Sequence, residues 1–512
     1  MKGFSSGARQ PAGAGPIEGV GGAYGRRPPR EFVVPMIVGC ALFMENLDST
    51  VITTALPVMA HSLHQNAIAL NLAITSYLLS LAVFIPVSGW VADRFGARNV
   101  FRLAIVIFTF GSMLCGVSHS LLQLVGARIL QGMGGSMMVP VGRLVVLRSV
   151  DRRGLVQAMS YLTVPAILGP VIGPLLGGFI VTYYSWRWIF FMNVPICLVG
   201  IVLVSLFIPV IQADAVPPLD LPGFALTGIG LAGVVFGLET VGRGMLPTGV
   251  VVSALVIGVI SLLLYWRHAH RAVNPILNLK LLDIRTFSIA TVGGGMIYRM
   301  GIGALPFLLA MQLQLGFGLS PFKSGLLTFA SAAGSFLMKF TVHHFVRIFG
   351  FRKVLIGNGF ITAASVAVCA LFTHATPHLV IGSVLLVGGF FRSLQYTSLN
   401  SLAYADVPSR LISNASTAAS MAQQLAMSFG ITFAALILHT CLVLHRETVV
   451  SARDFIPAYL LTAVISLFAL LYFARLEPSA GSELSGHQVV DHSPDEERTS
   501  VSGLLATRNL ES

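Results

Sequence analysis

Apolar runs of about twenty residues, separated by short polar breaks, recur from Phe32 to Phe473. Each run has the length that a helix needs to cross a hydrocarbon layer about 30 Å thick. The pattern predicts fourteen spanning helices, at 33–58, 68–92, 100–118, 121–147, 155–182, 188–209, 222–242, 248–266, 286–314, 322–346, 353–373, 377–402, 410–443 and 455–474. An all-α integral membrane protein is therefore expected, with both ends on one side.

Composition sharpens the picture. Of 512 residues 55% are hydrophobic and only 10% charged, with a mean hydropathy of +0.82. A soluble protein carries about 25% charged residues, so little of this chain faces water. The charge of +12 would suggest nucleic acid in a soluble protein; here the bias of basic residues toward the cytoplasmic side accounts for it. With the N-terminus inside, twenty-two Lys and Arg fall in cytoplasmic segments, five outside and five within spans. The expected location is the inner (plasma) membrane, multi-pass, both termini cytoplasmic. Residues 1–31 and 475–512 read as disordered cytoplasmic tails, and no small-residue cleavage site follows the first span. The five cysteines all lie in apolar segments without a CxxC, so neither disulfides nor a metal site is expected.

The break after the second span reads Gly89-Trp-Val-Ala-Asp93-Arg94-Phe95-Gly96-Ala-Arg98-Asn-Val100, and a shorter copy, Phe349-Gly350-Phe-Arg352-Lys-Val354, lies 254 residues later. The offset pairs span two with span ten. It implies two six-helix halves, 32–209 and 286–474, separated by two extra helices and linkers over 210–285, an organisation common in transporters. An Asp among Arg residues beside glycines can form a charge latch between halves (Gly89, Asp93, Arg94, Gly96, Arg98); ordinary cytoplasmic loop charge is the plain alternative.

This loop resembles the signature G-x-x-x-D-R-x-G-x-R of the major facilitator superfamily. Three further stretches resemble its fourteen-helix drug:proton antiporter branch, the EmrB/QacA-type multidrug exporters. They are Leu47-Asp48-Ser-Thr50 through Pro57, Arg128-Ile-Leu-Gln131-Gly132-Met-Gly134-Gly135, and Gly169-Pro170-Val-Ile-Gly173-Pro174-Leu-Leu-Gly177-Gly178. Ser185-Trp186-Arg187-Trp188 through Asn193 and Pro195 follows at the mouth of span six. The resemblance implies a major facilitator fold and proton-coupled export. By spacing alone, the Gly/Pro row of span five (Gly169, Pro170, Gly173, Pro174, Gly177, Gly178) makes a smooth face for close helix packing, within the molecule or at a dimer seam.

Ionisable groups inside spans are costly and so are functional candidates. Glu45 and Asp48, three apart, share a face of span one, and paired carboxylates in a poorly hydrated cavity suit reversible protonation. The resemblance implies that Asp48 is the first-helix acid and Arg128 the buried arginine, which can pair; Arg128 can alternatively snorkel to the interface. Snorkelling is the preferred account of Arg143 and Lys339. Arg299 and Arg392 lie too deep for it, and spans nine to fourteen contain no Asp or Glu. With Tyr298, Tyr396 and Gln131 they are the candidate substrate-binding residues. They suit an anionic metabolite, such as a di- or tricarboxylate, unless Arg299 or Arg392 is neutralised by Glu45 or Asp48.

No Lys follows a Gly, so no P-loop exists, and no HExxH is present. The expectation is a transporter and not an enzyme, without ATP, nucleic acid, cofactor or metal. Its partners are a small-molecule substrate, protons and the bilayer, and a monomer is the working expectation. Export of drugs, export of an anionic metabolite, and a membrane-embedded sensor or enzyme without transport remain open at this point.

Overall fold

Apolar helices in this chain stop where the sequence supplies glycine, proline or charge, and the resulting pieces follow the expected order closely. The computed structural model describes residues 30–149, 155–208, 218–240, 247–408, 411–446 and 450–482; most of both expected tails lies outside them. The helices are α1 (Arg30–Ser62), α2 (Leu72–Phe95), α3 (Ala97–Gly116), α4 (Leu121–Ser149), α5 (Leu155–Tyr183), and α6, broken into Trp188–Phe191 and Asn193–Phe207. Then come α7 (Leu221–Thr240), α8 (Thr248–Ala269), and α9 in three pieces, Arg285–Thr291, Gly294–Gly303 and Leu305–Met311. The last five are α10 (Pro321–Met338), α11 (Val342–Cys369), α12 (His378–Leu402), α13 (Ile412–His445) and α14 (Phe455–Phe473). Twelve stretches among the described residues are long and apolar enough to cross a membrane. Of the other two helices, α5 contributes a shorter apolar stretch, Leu168–Tyr183, and α10 is richer in small and hydroxyl residues that pack on neighbours.

Two six-helix halves, α1–α6 and α9–α14, pack around one seam. Helix α5 lies along α1 in its own half and along α10 in the other, while α2 lies along α13. The added pair α7–α8, central in sequence, is peripheral in space. Its hairpin closes through Gly233 and Gly258, where a Cβ would meet opposing backbone at 2.6 Å. The apolar window of α8 is 22% buried, against 72% for α2, so α8 faces lipid and α2 faces protein. Leu231 of α7 joins Ala82 of α2 and Leu425 of α13, which lays the hairpin over the seam between halves.

Span ten ends earlier than the apolar run suggested, at Met338 and not near 346. Val342, Phe345 and Val346, which lengthened the run, are instead packed from a short helical segment that opens α11. That segment is divided from the span proper at Gly350, with φ 73°. Gly96, its counterpart 254 residues earlier, has φ 86°. Both turns thus use a conformation that side chains resist and glycine accepts, which ties the faint sequence copy to one repeated piece of geometry.

Candidate functional site

Helix α1 carries Asp48 into the interior of the first half, where side chains of α4 and α6 meet it. Arg128 of α4 donates from Nη1 to Asp48 Oδ2 at 2.6 Å, and neither side chain is more than 2% exposed. Gln131, one turn along α4, donates to Asp48 Oδ1 at 2.9 Å and accepts from Arg128 Nη1 at 2.7 Å. Asn193, at the break in α6, donates to Asp48 Oδ1 at 3.0 Å and to Ser112 Oγ of α3 at 3.0 Å. Arg128 Nε is held by the Ala73 carbonyl of α2 at 3.1 Å, and its guanidinium lies 4.1 Å from the centre of the Tyr77 ring. Asp48 therefore accepts three hydrogen bonds from donors fixed on two other helices. A buried carboxylate of this kind is stable only because its acceptor oxygens are met by such donors.

The expected pairing of Asp48 with Arg128 is present and snorkelling of Arg128 is not. Gln131, expected at the substrate, has its amide engaged by Asp48 and Arg128 and is fully buried. Glu45 stays outside this network: it is 7% exposed, its Oε2 has no hydrogen-bond partner among the described residues, and the opposing charge that it feels is Arg143. Arg143 does more than snorkel, because it donates to Ser416 Oγ of α13 in the other half at 3.2 Å. Lys339 likewise donates to Thr397 Oγ1 of α12 at 2.6 Å.

The second half places its arginines among neutral partners. Arg299 donates to the Ala290 carbonyl at 2.9 Å, across the break in α9 that frees that carbonyl, and to Asn400 Oδ1 at 2.8 Å. Its guanidinium lies 5.3 Å from the Tyr396 ring centre. Arg392 donates to Ser331 Oγ at 2.5 Å. Tyr298 is buried and lies within electrostatic reach of both arginines. Among the described residues neither guanidinium forms an ion pair, so neutralisation by Glu45 or Asp48 is not what the structure contains.

In the signature loop, Arg98 is held within its own half. Arg98 donates to the Ser205 carbonyl in the last turn of α6, and its repeat counterpart Arg352 donates to the Ala474 carbonyl at the end of α14 at 3.0 Å. Each arginine meets the negative end of the last helix of its half. Arg94 is exposed, Asp93 half-buried, and Gly89 has open space around its Cα. Arg98→Ala and Arg352→Ala are each expected to lower stability by about 1.5–3 kcal/mol, the worth of a hydrogen bond from a charged donor. The double variant should lose the sum, since the two contacts share no residue. Thermal unfolding of the purified variants in detergent checks both values.

The Gly/Pro row of α5 divides between two neighbours. A Cβ on Gly169 would meet the Phe43 carbonyl at 2.8 Å, and one on Gly177 would meet Thr54 Oγ1 at 2.5 Å, both on α1. Gly173 abuts Thr50 on the same helix. Gly178 faces Pro321 of α10, where a Cβ would meet the carbonyl at 2.5 Å, and Gly325 of α10 faces Pro174 in return. The close packing predicted for this row is thus inside the molecule. Nearby, Gln314 donates to the Thr54 carbonyl at 2.8 Å, again joining the halves.

Sequence reasoning passed over Tyr77, Ser112 and the role of Asn193. Asn193 was signalled by its place in the family-like stretch at the mouth of span six, a polar residue two positions before Pro195 in an apolar run; Tyr77 and Ser112 had no signal.

The family model of the Major Facilitator Superfamily matches residues 38–431. A relative from Pectobacterium atrosepticum named multidrug resistance protein MdtD is 38% identical over 444 residues, which cover 86% of this chain and 95% of the relative. Its namesake from Escherichia coli O6:H1 is 40% identical over 407 residues, 78% of this chain and 85% of the relative. Among solved structures, the POT family transporter PepTSo is similar with a TM-score of 0.65 and 13% identity, covering 90% of this chain and all of that one. A D-xylose-proton symporter is similar with a TM-score of 0.61 and 16% identity, covering 88% and 99%.

Proposed function

The chain belongs to the Major Facilitator Superfamily, and on that premise we propose that it is a proton-coupled exporter of small molecules, of the multidrug efflux type that its relatives are named for. One observation carries the coupling assignment: the buried Asp48–Arg128 bridge ties α1 to α4 and, through Asn193 and Ala73, to α6 and α2. Protonating Asp48 removes the charge that holds Arg128, so a proton and the helix arrangement exclude one another at this point. Glu45 is the second proton acceptor, one turn away and facing Arg143. Because Arg143 also holds Ser416 in the other half, a change of charge on Glu45 reaches a contact between halves. The excess of basic residues on the terminal side supports an inner-membrane location with both termini cytoplasmic.

The test is uptake of ethidium by energised everted vesicles. Wild type is expected to accumulate the dye, and Asp48→Asn to reduce accumulation to the level of vesicles lacking the protein while remaining folded. Wild-type-like accumulation by Asp48→Asn would remove Asp48 from coupling.

A second reading rests on Arg299 and Arg392, two buried cations with no carboxylate partner among the described residues, which suit an anionic substrate such as a tricarboxylate. Labelled citrate in the same vesicles separates the two. Citrate uptake lost in Arg392→Ala favours the anion, whereas ethidium uptake that survives that substitution, with no citrate uptake in wild type, leaves the drug reading alone.

A further inference from the structure

Helix α7 does not close against the first half along its whole length. A cavity of about 480 Å³ lies between α7, α2 and α4, in the part of the bundle away from the chain termini. Its walls include Leu79 and Val83 of α2, Leu122 and Ile129 of α4, and Gly228 and Phe236 of α7. The volume falls within the range of small-molecule sites, about 300–1,000 Å³. Nothing in the wall selects a polar ligand. Ser80 Oγ donates to the Ile129 carbonyl at 2.7 Å, Thr75 Oγ1 to the Asn71 carbonyl at 3.3 Å and Ser76 Oγ to the Ala73 carbonyl at 3.5 Å, so all three hydroxyls in the wall are turned into backbone. A space lined this way does not hold water.

Its rim is lipid-facing, since Leu122 is 83% exposed and Ile129 and Phe236 are also exposed, on helices long and apolar enough to cross a membrane. From these observations we infer that the cavity is a binding site for one phospholipid acyl chain, held between the added helix and the first half. The occupant is hydrocarbon because the wall offers only dispersion contacts, and the bilayer supplies acyl chains at a concentration no solute matches.

The position gives the site a role. Ser76, in its wall, adjoins Tyr77, whose ring lies against Arg128, and Val125 and Ile129 flank Arg128 on α4. The acyl chain is thereby a wedge behind α4, which carries Arg128, and behind α2, whose Ala73 carbonyl and Tyr77 ring hold that arginine.

Gly228 offers the test. A Cβ there would meet only Val83 Cγ1, at an ordinary 3.4 Å, so a larger side chain can grow into the cavity without moving α7. Purified wild type, washed in detergent and examined by native mass spectrometry, is expected to retain one phospholipid more than the double variant Gly228→Leu/Ala232→Phe. Adding back dioleoyl phosphatidylcholine should raise the melting temperature of wild type and not that of the variant. Should the double variant fail to fold, Gly228→Ala, which narrows the cavity by one methyl group, is expected to weaken retention partially. Equal retention in wild type and a folded filled variant overturns the proposal. So does a retained lipid that ethidium displaces and added phospholipid does not restore, since the site would then belong to the exported compound.

Discussion

Arg128→Ala is expected to destabilise the protein by about 3–5 kcal/mol and to abolish energised export. Removing the guanidinium leaves the Asp48 carboxylate buried with only amide donors, and an unpaired buried charge is far costlier than a missing contact. Gln131 and Asn193 would still donate to Oδ1, but Oδ2 would lose its one partner. The cost belongs to the stranded charge, so it should be largely recovered in Asp48→Asn/Arg128→Ala, where no charge remains to bury. A double-mutant cycle of unfolding free energies in detergent measures this directly. Full additivity of the two substitutions would mean that the bridge contributes nothing beyond its parts. Export should stay absent in the double variant whatever its stability, because the protonatable group is gone.

Valine at Gly178 is expected to lower export by tenfold or more while leaving each half folded, whereas valine at the adjacent Gly177 should lower stability itself. The difference follows from which helix each glycine touches. Gly177 packs on α1 of its own half, so a branched side chain forces Thr54 and the Val51 backbone apart inside a unit that must stay intact. Gly178 packs on Pro321 and Phe322 of α10, across the seam along which the halves must move. Overpacking there costs about 1–3 kcal/mol, which is charged only to the state in which α5 and α10 touch. A bias of that size shifts a two-state population by roughly 5–150-fold. Spin labels on α5 and α10, with distances measured in lipid nanodiscs, should report a wider separation in Gly178→Val than in wild type. Unchanged distances together with normal export would show that this contact does not gate the cycle.

Much of the fold was legible because spanning helices announce themselves locally. Fourteen apolar runs, the positions of their breaks, and the glycine shared by the two signature loops all follow from stretches of twenty residues or fewer. The misreadings came where local pattern and packing diverge. Val342 and Val346 lengthened an apolar run that the chain uses for a separate short helix, and α9 looked like one helix because its breaks, near Gly293 and Ala304, interrupt geometry without interrupting hydropathy.

At the candidate site the chemical types were readable and the partners were mostly not. An acid in α1 and a base in α4 are improbable guests in hydrocarbon, so their presence in the sequence already marked them. The third and fourth members, Gln131 and Asn193, join Asp48 from 83 and 145 residues away.

The amino-acid sequence by itself determined the number and order of the spans, the duplicated layout, and which spans carry charge, because each depends on the cost of placing nearby residues in hydrocarbon. Only the tertiary structure decided that Arg128 takes Asp48 while Arg299 and Arg392 take carbonyls and hydroxyls. It alone decided that one face of α5 serves its own half and the next face the seam, and that α7–α8 lies outside the bundle. Those choices depend on which helices meet and at what rotation, and a single helix carries no record of either.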